Sequence, residues 1–126
     1  MNANEREYQA KLLEILQRHR GRDNAVKGRY LARGMFGDAL LSPVRRERKL
    51  RALVKDAVSQ GHPVVGDSRG YYLAGSQEEV EAVVSTLRKH GLAELTKAAR
   101  LKRISLKQFV GQLALELDER SENHGA

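Results

Sequence analysis

Residues 62–74 read His62-Pro63-Val64-Val65-Gly66-Asp67-Ser68-Arg69-Gly70-Tyr71-Tyr72-Leu73-Ala74. Two short runs of β-branched and aromatic residues here surround a turn that is bounded by Gly66 and Gly70. This arrangement predicts a β-hairpin. The segments on either side carry apolar residues at helical spacing, so the hairpin interrupts a chain that is otherwise mainly helical.

The predicted N-terminal part starts with an amphipathic helix within residues 5–19. Its apolar positions recur at helical spacing and are Tyr8, Leu12, Ile15 and Leu16. Residues 23–27 are predicted as a short strand or an extended segment, and residues 28–33 as a short second helix. Gly34 and Gly37 are expected to end that helix.

A third, longer helix is predicted to begin at Ser42-Pro43 and to run to about Gln60. Serine is suited to the capping position and proline to the first helical position, where its missing N–H costs nothing. Gly61 is expected to stop the helix. Its apolar side consists of Leu50, Leu53, Val54, Ala57 and Val58.

Two further helices are predicted after the hairpin. Ser76 and Glu79 form a capping box, in which each side chain satisfies a free backbone N–H of the other residue. The helix continues through Gly91, and its stripe is Val80, Val83, Val84, Leu87, Leu95 and Ala98. Ser105 caps a last helix that frays from Arg120, and its stripe is Leu106, Phe109, Val110, Leu113 and Leu117. The predicted fold class is mainly α, of the α+β type.

Composition excludes several classes of protein and site. The 126 residues contain no cysteine, which excludes disulfides and thiolate chemistry. The four histidines lie on separate predicted elements, so we expect no metal site, no cofactor and no enzymatic activity. No apolar run is long enough to span a bilayer and the first 11 residues are polar, so we expect a soluble intracellular protein with no membrane partner.

The order of the predicted elements resembles that of the winged helix-turn-helix family. Residues 24–33 are similar to the short second helix of that family, and residues 45–61 to its recognition helix. The hairpin, with Gly70-Tyr71-Tyr72-Leu73 after a basic helix, is similar to the wing of small winged-helix proteins from phages and prophages. The resemblance covers residues 5–74. It departs from the family pattern between Gly34 and Ser42, where this chain has a longer turn.

The resemblance implies a winged helix-turn-helix domain at residues 1–75 with a β-hairpin wing. Additional C-terminal helices at residues 76–120 would pack on it or dimerise, and residues 121–126 would form a disordered tail. It implies a cytoplasmic protein of a bacterial or phage-infected cell that binds double-stranded DNA, as a transcription regulator or a replication accessory factor. The alternative is a protein-interaction module that docks on a host polymerase or replication protein, because fold alone does not decide between them.

Basic residues are concentrated in residues 20–55, where 11 Lys and Arg outnumber 3 Asp and Glu. On the third helix, Arg45, Arg48, Ala52 and Lys55 project opposite the apolar side, with Lys49 and Arg51 flanking them. A cationic face of this kind can enter the major groove of DNA, although basic runs are often only solvated. The predicted DNA-binding residues are Lys27, Arg29, Ser42, Arg45, Arg46, Arg48, Lys49, Ala52, Lys55 and Arg69.

The C-terminal part leaves two questions open at the level of sequence. A second basic run consists of Arg88, Lys89, Lys97, Arg100, Lys102, Arg103 and Lys107, and it is either a solvated helix face or a contact to a nucleic-acid backbone. The stripe of the last helix either folds back on the first helix, over Tyr8, Leu12 and Leu16, or is shared between the two chains of a homodimer.

Overall fold

The computed structural model describes residues 2–37 and 42–124, with side chains up to residue 121. Within these ranges the chain is mainly helical with a small antiparallel sheet, which is the class that the sequence predicted. The elements are α1 (Ala3–Leu16), α2 (Gly28–Phe36), α3 (Pro43–Ser59), β1 (Val64–Asp67), β2 (Gly70–Leu73), α4 (Gln77–Lys102) and α5 (Leu106–His124), with one turn of 3-10 helix at Arg22–Asn24. In the described ranges, no helix combines the length and the apolar character that crossing a membrane requires.

The chain divides into two compact units, residues 1–83 and residues 84–126, so the boundary falls inside α4. The domain boundary predicted after residue 75 stays a prediction, because compactness alone does not define a domain. In the first unit α1, α2 and α3 pack together against one end of the hairpin. The core consists of Leu12, Leu16, Leu31, Ala32, Met35, Leu50, Leu53, Ala57, Val64 and Leu73.

Helix α2 is longer than the sequence predicted. It continues through Gly34 to Phe36 and ends at Gly37, whose φ of 74° is a left-handed value that glycine adopts without strain. Met35 is buried in the core. Burial of Met35 offsets the cost of about 1 kcal/mol for one helical glycine. Gly34 is therefore not the end of the helix, and the rest of the predicted turn, residues 38–41, lies outside the described residues.

The hairpin pairs β1 with β2 in the antiparallel register Val64↔Leu73 to Asp67↔Gly70. The other edge of β2 pairs with the segment that precedes α2. Val26 and Tyr71 exchange backbone hydrogen bonds of 2.9 and 2.8 Å. The predicted short strand at residues 23–27 is thus a 3-10 turn followed by a single bridge at Val26.

The start of α4 agrees with the predicted capping box in one half only. The N–H of Glu79 donates to the Ser76 hydroxyl at 3.2 Å, but the Glu79 carboxylate accepts from the backbone N–H groups of Gly75, at 3.0 Å, and Arg22, at 3.2 Å. It therefore connects the start of α4 to the 3-10 turn. As predicted, α4 is continuous through Gly91.

Helix α5 continues past Arg120, where the sequence predicted fraying, to His124. Residues 125 and 126 of the predicted tail lie outside the described residues.

Candidate nucleic-acid interface

The outer face of α3 is exposed and basic, as predicted. Arg45, Arg48, Ala52 and Lys55 are all exposed, and they lie opposite the buried residues Leu50, Leu53 and Ala57. Ser42 is committed to the fold, because its hydroxyl accepts the N–H of Arg45 at 3.3 Å and so caps the helix.

Arg46 corrects the set of predicted contact residues. It is only 7% exposed and belongs to the buried side of α3. A helical wheel explains this position, because Arg46 lies four residues before Leu50 and seven before Leu53. Its guanidinium is therefore not part of the exposed basic face.

Lys49 is exposed on a flank of α3, as predicted, but its cation lies against two aromatic rings. Its ammonium lies 4.3 Å from the ring centre of Tyr8 and 4.8 Å from that of Phe36. The two rings are themselves in an edge-to-face contact at 5.2 Å. Lys49 therefore lies over an aromatic pair formed by α1 and α2, although its side chain stays exposed.

The other flank of α3 faces the hairpin through Tyr71. A Cβ built on Gly28, at the start of α2, would lie 3.1 Å from the Tyr71 ring, and one on Gly66 would lie 2.8 Å from it. Burial raises the pKa of the Tyr71 phenol, the charge of Arg51 lowers it, and the charge of Glu47 raises it. The start of α2 and two residues of α3 thus lie close to Tyr71 of β2. Arg51 is exposed on this flank.

The residues at the start of α2 bring further cations to this region. The Lys27 ammonium donates to the backbone oxygen of Ser68, in the hairpin turn, at 3.5 Å. The Arg29 guanidinium stacks on Tyr30 with its central carbon 4.8 Å from the ring centre, and it also donates to the Tyr30 hydroxyl at 3.0 Å. Tyr30 is half-exposed, so it presents an aromatic surface beside Arg29.

The hairpin turn is fastened to the 3-10 turn by charge. The guanidinium of Arg69, a predicted DNA-binding residue, donates to the Asp23 carboxylate at 3.1 Å, and the backbone N–H of Arg69 donates to Asp67 at 2.8 Å. Asp67 in turn lies 3.7 Å from the Arg22 guanidinium. It also accepts from the Tyr72 hydroxyl at 3.2 Å, and burial together with this carboxylate raises the pKa of Tyr72.

The structure thus brings together part of the predicted set. Arg45, Arg48, Ala52 and Lys55 share one helix face, and Lys27 lies next to the hairpin turn that carries Arg69. Sequence reasoning assigned no contact to Tyr30, and it treated Arg51 only as a flanking residue. The signal for Arg51 was its place on the wheel beside Arg48, but the wheel does not show that this flank lies next to Tyr71 and the other flank next to Tyr8 and Phe36.

The second basic run lies on exposed surface, mostly in α4. Lys97 pairs with Glu94 at 2.9 Å, and this hydrogen bond lowers the pKa of the Glu94 carboxyl. Whether these side chains contact nucleic acid stays a prediction.

Comparison with known proteins adds no identity to this geometry, since no protein-family model, no curated protein and no solved structure matches the chain.

Proposed function

We propose that the chain binds double-stranded DNA through the exposed face of α3, the start of α2 and the hairpin turn, as a winged helix-turn-helix protein. One observation carries the proposal. The outer face of α3 holds Arg45, Arg48 and Lys55 around the small residue Ala52, and these three exposed cations outnumber the exposed acidic residue Asp56, one turn after Ala52.

The topology of the first unit supports a winged-helix reading. The element order is helix, extended segment, helix, helix and hairpin, and the extended segment pairs with β2 through Val26. In the winged-helix family the third helix enters the major groove, while the hairpin lies over the neighbouring backbone. The contacts around Tyr71 hold the hairpin beside α2 and α3 in a manner that suits this arrangement.

The side chains divide into two roles. Arg45 and Arg48 can reach guanine O6 and N7 in the major groove, and Ala52 permits close approach of the helix. Arg51 flanks this face, and Lys27 and Arg29 lie at the start of α2. All three can neutralise phosphates, which provides affinity without sequence information. Tyr30 can pack against the sugar-phosphate backbone next to Arg29.

Arg48→Ala tests the proposal, and Lys49→Ala is its matched control on the adjacent position of the same helix. With a duplex of about 30 bp that carries a site selected from random sequence, we expect Arg48→Ala to lose roughly 5- to 150-fold in affinity, or about 1–3 kcal/mol. Lys49→Ala should change affinity by less than about threefold. It should instead reduce the stability of the fold by about 0.5–1 kcal/mol, because its cation lies over two rings.

Fluorescence anisotropy at several salt concentrations gives both affinity and salt slope, and chemical denaturation gives stability. Equal DNA affinity of the unmodified protein and a folded Arg45→Ala/Arg48→Ala variant contradicts the proposal. Capture of a single protein partner that does not weaken with salt, together with no DNA retention, supports the docking alternative instead.

A further inference from the structure

The second unit, described by itself, contains almost no interior. Among its described side chains only Ala99 is buried. Large apolar side chains are exposed by 40% to 86% along both helices of the unit, and they are Val84, Leu87, Leu92, Leu101, Val110, Leu115 and Leu117. Isolated amphipathic helices gain little stability until their apolar faces are covered. Where such side chains share one helix face, they mark an interaction site.

Helix α5 carries the most regular part of this surface. Leu106, Val110, Leu113 and Leu117 follow one another at spacings of four, three and four residues, and Phe109 lies beside them. This is the spacing of the apolar seam in a coiled coil. Val110 and Leu117 are exposed, and the other three are only half-buried. The apolar seam of α5 is therefore present on the helix but remains largely accessible to solvent.

The distribution of charge along α5 favours a second copy of the same chain as the occupant. Around the N-terminal end of α5, residues 100–107 contain four basic residues and no acidic one. Near its C-terminal end, Glu116, Asp118 and Glu119 outnumber Arg120. Two α5 helices that run antiparallel place the basic end of each copy against the acidic end of the other. A parallel pair places like charges together, which is unfavourable.

We propose that two copies of the chain associate through α5, antiparallel about a two-fold axis, with Leu106, Val110, Leu113 and Leu117 at the interface. Each copy presents the same self-complementary patch, as a two-fold interface requires. In this register Leu106 faces Leu117 of the other copy, and Val110 faces Leu113. The proposal does not depend on DNA binding and is tested without DNA.

Sedimentation equilibrium of the full chain gives the first test. We expect a monomer–dimer equilibrium in which Leu113→Ser raises the dissociation constant at least tenfold. Leu115→Ser is the matched control, because Leu115 is 65% exposed on the same helix but lies half a turn from Leu106. It should leave the dissociation constant unchanged. Circular dichroism of each variant checks that the helix content is retained.

Cysteine cross-linking tests the direction of the helices, and it keeps the proposal testable if Leu113→Ser loses helix content. The chain has no native cysteine, so single substitutions are unambiguous. A mixture of Leu106→Cys and Leu117→Cys should form disulfide-linked dimers on oxidation. Either variant alone should not, because the two copies of position 106 are about 16 Å apart along antiparallel helices, beyond the ~7 Å that a disulfide can bridge.

Three results overturn the proposal. The first is an unmodified chain that stays monomeric at high micromolar concentration, which leaves the seam for a different protein. The second is a Leu115→Ser variant that dissociates as readily as Leu113→Ser. The third is a Leu106→Cys chain that cross-links to itself more efficiently than it does to Leu117→Cys, which indicates parallel helices.

Discussion

Arg69 and Asp23 form an ion pair at the protein surface. Under the proposed function, this pair affects whether Arg69 can bind a DNA phosphate. The two side chains lie 3.1 Å apart, and that of Asp23 is 97% exposed. An ion pair exposed to this degree contributes little, about 0–1 kcal/mol. A DNA phosphate is an equally suitable acceptor for a guanidinium. Arg69 can therefore exchange Asp23 for phosphate at small cost.

Asp23→Asn is expected to strengthen DNA binding. The substitution weakens the hold on Arg69 and removes a negative charge from the proposed interface. Affinity at low salt should rise roughly two- to fivefold, and the slope of log affinity against log salt should steepen by up to about one unit. Glu14→Gln on α1 changes the net charge equally and serves as the control. Equal effects of the two variants would mean that net charge alone is responsible.

Arg103 adopts a backbone conformation that suits glycine better. Its φ is 58°, and the N–H of Ile104 donates to the oxygen of Ala99 at 3.0 Å, which is the closing bond of a Schellman motif at the end of α4. A left-handed conformation costs a residue with a Cβ roughly 1–2 kcal/mol. Arg103→Gly should therefore stabilise the second unit by about 1 kcal/mol.

Thermal unfolding at a fixed protein concentration measures that effect, because association also shifts the midpoint. Arg100→Gly removes the same charge from a helical position and should instead destabilise by about 1 kcal/mol. A lower midpoint for Arg103→Gly than for the unmodified chain would contradict the interpretation that the left-handed conformation of Arg103 is strained.

At the scale of elements, glycine is required at Gly70 but not at Gly34. A Cβ on Gly34 meets no atom within 4 Å, whereas one on Gly70 would lie 2.2 Å from the backbone oxygen of Val26, at a φ of 128°. Gly34→Ala should stabilise α2 by about 0.5–1 kcal/mol. Gly70→Ala should cost roughly 2–4 kcal/mol, because the hairpin must separate from Val26. Urea unfolding of the two variants checks the opposite signs, and a loss of stability in both would contradict the account of α2.

Local pattern was sufficient to predict that the helices and the hairpin form, although not where α2 and α5 end. The spacing of Leu50, Leu53 and Ala57, the capping Ser42 and the glycine-bounded turn all act within a few residues, so they are visible in the sequence. The positions of Lys49 and Arg69 were not predictable in this way. Lys49 depends on the rings of Tyr8 and Phe36, and Arg69 on Asp23, which is 46 residues away in the chain. These partners become neighbours only when the whole first unit has packed.

For the whole molecule, the two proposals place DNA contact and association in different units. The residues proposed to contact DNA all lie before residue 70, and the proposed seam lies in α5. If both proposals hold, a dimer carries two α3 faces, and a duplex with two suitably spaced binding sites would engage both. Because the second contact becomes intramolecular, bivalent binding can exceed single-site binding by about 10²–10⁴-fold.

We therefore expect affinity for duplexes with two inverted copies of a selected site to vary with their spacing. It should peak at one spacing and recur about 10.5 bp later, since equivalent groove faces repeat once per helical turn. Leu113→Ser should lose this periodicity and bind each site independently with the affinity of a single-site duplex, while Leu115→Ser should retain it. Competition binding with a spacing series measures both effects. A periodic preference that persists in a monomeric Leu113→Ser chain would show that the pairing of sites does not arise from α5. Loss of all DNA binding in that variant would instead place α5 within the DNA-binding surface itself.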